Sequence, residues 1–143
     1  MSLNLVRPYF RARLNALGYK EWSDGFNFDN IPENIIDKSY HLDANQITNT
    51  QLNHNDLEVS HTVVTRVWFK GFKTVKEALD RTMERIDDIM VEVLKPTNRV
   101  TGTGGLRNVT LDNVVIEPLA DSNDNTIRVS LTWDVRVYVC LTD

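Results

Sequence analysis

Cysteine is nearly absent: Cys140 is the only one in 143 residues, which excludes an intramolecular disulfide and every multi-cysteine zinc site. A lone thiol suits a reducing compartment. Long apolar runs are also missing, and nothing approaches the roughly 18 residues that a membrane-crossing helix requires. The opening stretch MSLNLVRPYF carries an arginine and a proline where a secretory signal would place its apolar core, so the chain is expected to stay in the cytoplasm in which it is made. Positive charge is in deficit, with 16 Lys and Arg against 20 Asp and Glu and a net charge of -4. That balance argues against wrapping nucleic acid over the whole surface and leaves room for a local basic patch. There is no internal repeat and no low-complexity tract. What is present, 41% hydrophobic and 25% charged residues, describes one globular domain over residues 1–143, large enough to bury a core without metal or disulfide.

Periodicity orders the chain. In residues 3–17, Leu3, Val6, Phe10, Leu14 and Leu17 recur at helical spacing, with Gly18 as a left-handed cap. Pro8 is tolerated only in a first turn, which places the helix start near Asn4. Its charges are all basic: Arg7, Arg11 and Arg13. Residues 21–37 read as an ordered connection anchored by Trp22, Phe26 and Phe28, with Pro32 able to open a short turn. A strand over residues 38–48 alternates through Tyr40, Leu42 and Ala44, and residues 49–56 form a loop or hairpin tip. The strand over 57–70 puts Val59, Val63, Val67 and Phe69 on one side, while Val64 and Trp68 interrupt the polar side. Thr74 and Glu77 fit a capping box opening the clearest helix, whose apolar stripe runs through Val75, Ala78, Leu79, Met83, Ile86, Ile89, Met90, Val93 and Leu94 until Pro96 stops it. In the strand over 107–119 the apolar phase changes between Leu111 and Val114, the mark of a bulge near Asp112 and Asn113. The last strand, 126–141, alternates without a break from Ile127 to Leu141.

The implied fold is α+β: a largely antiparallel sheet of about four or more strands, two main helices on one face, and a long projecting hairpin. Residues 126–141 extend about 50 Å at about 3.3 Å per residue. A compact domain of this length is under about 40 Å across. The strand therefore bends or projects, and a projecting apolar face needs cover, most simply from another subunit. Residues 38–48 and 57–70 can form one hairpin arm or two separate ladders.

Sites of chemistry are few. The TGTGG of residues 101–105 follows a helix and precedes a strand, the reverse of a phosphate-binding loop, and reads as a connection or partner-contact loop. Asp121, Asn123 and Asn125 imitate the start of a calcium loop, but Thr126 and Thr132 replace its glycine and glutamate, so a turn is the better reading. His41, His54 and His61 have no metal spacing, although His41 and His61 can be cross-strand neighbours and leave a two-histidine site or a histidine hydrolase open. Cys140 lacks any context that would activate it. Asp87 and Asp88 point about 100° apart and make no acid–base pair. Asn108-Val109-Thr110 matches a glycosylation sequon with no sign of secretion. The arginine helix and the acids of 21–58 can pair between copies in the heterologous manner that closes rings.

Taken whole, the chain resembles the tail terminator (tail completion) proteins of long-tailed bacteriophages, the family that includes the lambda tail terminator. The likeness lies in the N-terminal helix, in Phe28-Asp29-Asn30-Ile31-Pro32 leading to Asp37-Lys38-Ser39-Tyr40-His41-Leu42, in Trp68-Phe69-Lys70-Gly71-Phe72, in the capped helix from Val75 and in the closing pair of strands. The resemblance implies a non-enzymatic virion protein of the tail–neck region, without cofactor, metal or membrane contact. Such a protein forms a hexameric ring on the tail tube, stops tube growth and offers the head a docking surface with a lumen that DNA traverses without specific binding. Its partners would be other copies, the tail tube protein below and a neck or head-completion protein above. Subunit or ring contacts are expected at Arg7, Arg11, Arg13, Trp68, Gly104, Gly105 and Arg136, and at loops 49–56 and 101–105. The alternatives are another neck or head-completion connector and a small-ligand-binding domain near Trp22, Trp68 and the glycine loop.

Overall fold

Helix α1 spans Val6–Ala16 and buries Val6, Tyr9, Phe10 and Leu14, the i, i+3, i+4 set that lies on one side of a helix. The structure is a computed structural model, and it describes residues 6–21, 37–51, 56–70, 74–95, 106–118 and 126–140. The expected start near Asn4 and the anchors Trp22, Phe26, Phe28 and Pro32 lie outside these residues. Pro8 is the third residue of α1, where its missing N–H belongs to the unpaired first turn and costs no helical bond. At the other end Gly18 takes φ +86°. The Tyr19 amide donates to the Leu14 carbonyl at 3.1 Å and the Gly18 amide to the Asn15 carbonyl at 3.0 Å, the paired bonds of a Schellman cap.

Five strands follow among the described residues: β1 (Lys20–Glu21), β2 (Ser39–Gln51), β3 (Asp56–Phe69), then after helix α2 (Val75–Leu94) β4 (Leu106–Pro118) and β5 (Ile127–Cys140). Their order is β1-β2-β3-β5-β4. Only β1 runs parallel to its neighbour, and only over the pairs Lys20↔Ser39 and Glu21↔Tyr40. This short strand has no sequence signal, since two charged residues carry no periodicity. β2 and β3 form one antiparallel ladder from Ser39↔Trp68 to Gln51↔Leu57, which decides between the two pairings left open above. The expected loop over 49–56 is correspondingly shorter, because residues 49–51 and 56 belong to the strands. β4 shifts register between Leu111 and Asn113, where the phase change places a bulge. A second shift, between Asp43 and Gln46 in β2, brings Ile47 onto the side already occupied by Tyr40 and Leu42.

The sheet has two unlike faces. Tyr40 and Leu42 of β2, Val63, Val67 and Phe69 of β3, Val109 of β4 and the odd positions 127–137 of β5 join Phe10, Leu14, Ile86, Ile89 and Val93 of the helices in one core. Both helices therefore lie on the same face, and the α+β, mostly antiparallel architecture expected from the sequence is observed. The Phe10 ring sits 5.7 Å from that of Trp133, and the Tyr9 hydroxyl donates to the Val93 carbonyl, binding α1 to sheet and to α2. On α2, Thr74 is the N-cap and its hydroxyl accepts from the Glu77 amide at 3.1 Å.

The α2 stripe differs from expectation in one respect. Ala78, Thr82, Ile86, Ile89 and Val93 face the core, whereas Leu79 and Met83 are 47% and 57% exposed. The apolar arc is wider than the sheet beneath it can cover, so one flank is left outside.

Candidate functional site

Alternation in β3 and β5 sends every second side chain to the face that carries no helix among the described residues, and there the charges meet across strands. Arg66 reaches Asp43 at 3.7 Å, Arg136 reaches Glu58 at 3.3 Å and Asp134 at 3.4 Å, and Arg128 pairs with Glu117. The Ser60 hydroxyl donates to Asp134. Each of these three arginines has a carboxylate, so the described part of this surface is charge-balanced and unsuited to holding a polyanion. The pairs are partly exposed, and each contributes little to stability.

The expected contact residues divide sharply. Arg7 is exposed on α1. Arg11 meets Glu21 at 2.9 Å in a pair with both side chains well exposed. Arg13 is committed within the chain, to Glu92 at 3.3 Å and over the Tyr9 ring. Arg136 is exposed in the network just described. Trp68 is 5% exposed, so it offers almost no surface to a neighbour, although it lies on the face opposite the helices. Gly104 and Gly105, loop 101–105, residues 52–55 and the turn at 121–125 lie outside the described residues.

The two histidines do not form a site together. His41 pairs with Arg66 on the helix-free face, and His61 pairs with Ile47 on the helix side, because Arg66 and His61 stand five residues apart on β3 and alternation sends them to opposite faces. His61 is 2% exposed and its Nε2 has no hydrogen-bond partner. A hydrolytic role for it would require water and substrate to reach a sealed position. Among the described residues no group of His, Cys, Asp and Glu is placed to hold a metal ion, and no helix is long and apolar enough to cross a membrane. The hollow at the start of α2, about 310 Å³, is lined by Thr74, Lys76, Glu77, Asp80, Arg81 and Glu84 and lies open to solvent.

Burial lowers the pKa of His61 below its ordinary value. It also lowers that of His41, with Arg66 adding to the effect and Asp43 and Glu21 opposing it. The unfolded chain therefore binds protons more readily than the folded one as pH falls through about 6.5. Stability is expected to be level above that pH and to decline below it. Urea titrations between pH 8 and 5 check this, and a His61→Leu variant should show a flatter profile; an unchanged slope would assign the decline elsewhere.

The sequence did not mark Asp37 as a joint between elements. Its Oδ1 accepts from the Lys70 amide and from Arg85, each at 2.9 Å, and these partners lie 33 and 48 residues away. The Arg85 guanidinium in turn covers the Phe69 ring at 4.9 Å. One carboxylate thus joins the start of β2, the end of β3 and the middle of α2. Nearby, burial holds the Tyr19 hydroxyl neutral by raising its pKa, and burial followed by the Glu21 charge pushes Tyr40 up to about 12.

No protein-family model matches the chain, and no curated protein matches it in sequence. The fold is accordingly described by its own class, a two-helix α+β domain on one face of a mostly antiparallel sheet.

Proposed function

We propose that the chain is a non-enzymatic structural subunit of a phage tail–neck ring: a hexameric tail terminator that ends the tail tube, presents the head-joining surface and leaves a lumen for DNA. The observation that carries this reading is a long sheet whose two outer sides are open among the described residues. β3 and β5 pair over 14 residues each, a ladder of about 46 Å at about 3.3 Å per residue. Among the described residues no strand pairs with β2 beyond Tyr40 or with the outer side of β4. Open strands of this length call for cover in the assembled state, and a ring supplies it on both sides of every subunit. On the helix side of β2, Ile47 is 48% exposed, opposite buried His61. The charge-balanced open face and the net charge of -4 suit a wall that lets DNA pass without holding it. The sequence resemblance to tail terminators implies a ring at the end of the tail tube, with the tube protein below and a neck or head-completion protein above.

Light scattering and negative-stain imaging, with and without tail tubes, test the reading. Rings of about six copies, or density closing one tube end, are expected. Density on the head side alone would make it a connector at another level, and a monomer indifferent to tubes would overturn the ring altogether.

A further inference from the structure

We propose that copies of this chain dock head to tail, the exposed apolar and acidic flank of α2 in one copy lying against the arginine flank of α1 in the next. The proposal rests on the ring reading for its use, and its argument is geometric. α1 packs against β1 and β2 while α2 reaches β4, so the helices lie toward opposite sides of a sheet ordered β1-β2-β3-β5-β4. Between them runs a seam in which Arg13 meets Glu92 and the Tyr9 hydroxyl meets the Val93 carbonyl. Helical geometry, with 3.6 residues per turn, then fixes what faces away from that seam.

On α1 the outward flank carries Arg7 and Arg11, and the Arg11–Glu21 pair places it beside β1. The helix contains no acidic residue. On the same side of the molecule β2 offers exposed Ile47. On α2 the outward flank carries Leu79 and Met83, both exposed, with Asp80, Glu84 and Asp87 alongside and Lys76 as its one cation. On the same side of the sheet β4 adds Leu111, Val114 and Ile116, each only partly buried. The α1 flank is thus basic, with an apolar residue on β2 beside it, and the α2 flank is acidic, with an apolar shelf on β4.

A second copy fits this complementarity, because each flank matches the opposite flank of the same chain and neither matches itself. Such a contact is heterologous, and it closes into a ring when the rotation between neighbours divides a full turn. Docking there also sets the open side of β2 in one copy beside the open side of β4 in the next. The Arg11–Glu21 pair, with side chains 42% and 37% exposed, does not hold Arg11 back, since an exposed pair contributes little.

Charge reversal provides the test. Asp80→Arg with Asp87→Arg makes the α2 flank basic, and Arg7→Glu with Arg11→Glu makes the α1 flank acidic. All four positions are surface or near-surface, and thermal melts check that both proteins fold. Each variant alone should fall to monomer by light scattering, and an equal mixture should regain assemblies holding both. If wild type forms rings and both variants form them equally well, this docking is wrong and the ring reading survives. If the variants abolish assembly and the mixture restores it, but imaging shows open chains, the docking stands and the ring reading falls. A wild-type protein that stays monomeric even with tube ends overturns both.

Discussion

Replacing Trp133 by alanine is expected to remove about 3–5 kcal/mol of stability, a large share of the about 5–15 kcal/mol that holds a typical domain folded. Trp133 is fully buried at the middle of β5, a strand with a neighbour on each side. Its ring packs on Phe10 of α1 at 5.7 Å, and its indole N–H donates to the Thr65 hydroxyl at 3.1 Å. Truncation opens a cavity beneath α1 and takes away the partner that Thr65 holds at the centre of β3. Trp133→Phe separates the two losses. It keeps most of the ring and forfeits the hydrogen bond, so about 1–2 kcal/mol is expected. Urea unfolding followed by circular dichroism measures both, and an alanine variant as stable as wild type would refute this account of the core.

Asp37→Ala is the second large effect, about 2–3 kcal/mol, although the residue is only half-buried and lies outside the strands and helices. The loss is double. The Lys70 amide loses its acceptor, and Arg85, whose side chain is 19% exposed, loses its carboxylate while pinned over Phe69. Asp37→Asn keeps an acceptor for the amide and should cost less. A cycle with Arg85→Ala isolates the ion pair: the double variant should lose clearly less than the two single losses together, and simple additivity would remove Asp37 as a joint between helix and sheet. Because Asp37 holds the start of β2 to α2, its loss should loosen the side of the sheet that bears the arginine flank.

Elements whose cause is local were legible in advance. The Thr74 cap, the Gly18 stop, the unbroken alternation of β5 and the register shift at Asp112 each follow from residues within a few positions of one another. The basic character of α1 was equally plain, and Arg7 and Arg11 are on its surface as that pattern suggests. Sequence reasoning lost its hold where the cause is distant. Arg13 looked like part of the same free face until α2 brought Glu92 against it. Leu79 and Met83 looked like core because helical period reports the width of an apolar arc and says nothing of how much the sheet beneath can cover. Trp68 looked available because its strand position is on the polar side, yet it is buried.

By itself the sequence determined the class of the protein: one cysteine, a small acidic excess and two periodicities, near 3.6 and 2, dictate two amphipathic helices and a half-wet sheet. Only the tertiary structure decided which sides of those elements remain open. The register that sets Arg66 against His41 and Ile47 against His61, the order β1-β2-β3-β5-β4 and the placing of α1 and α2 toward opposite sides are set by packing between residues far apart in the chain. Packing of that kind selects among arrangements that local preferences leave nearly equal in energy, and so it leaves no periodic trace in the sequence.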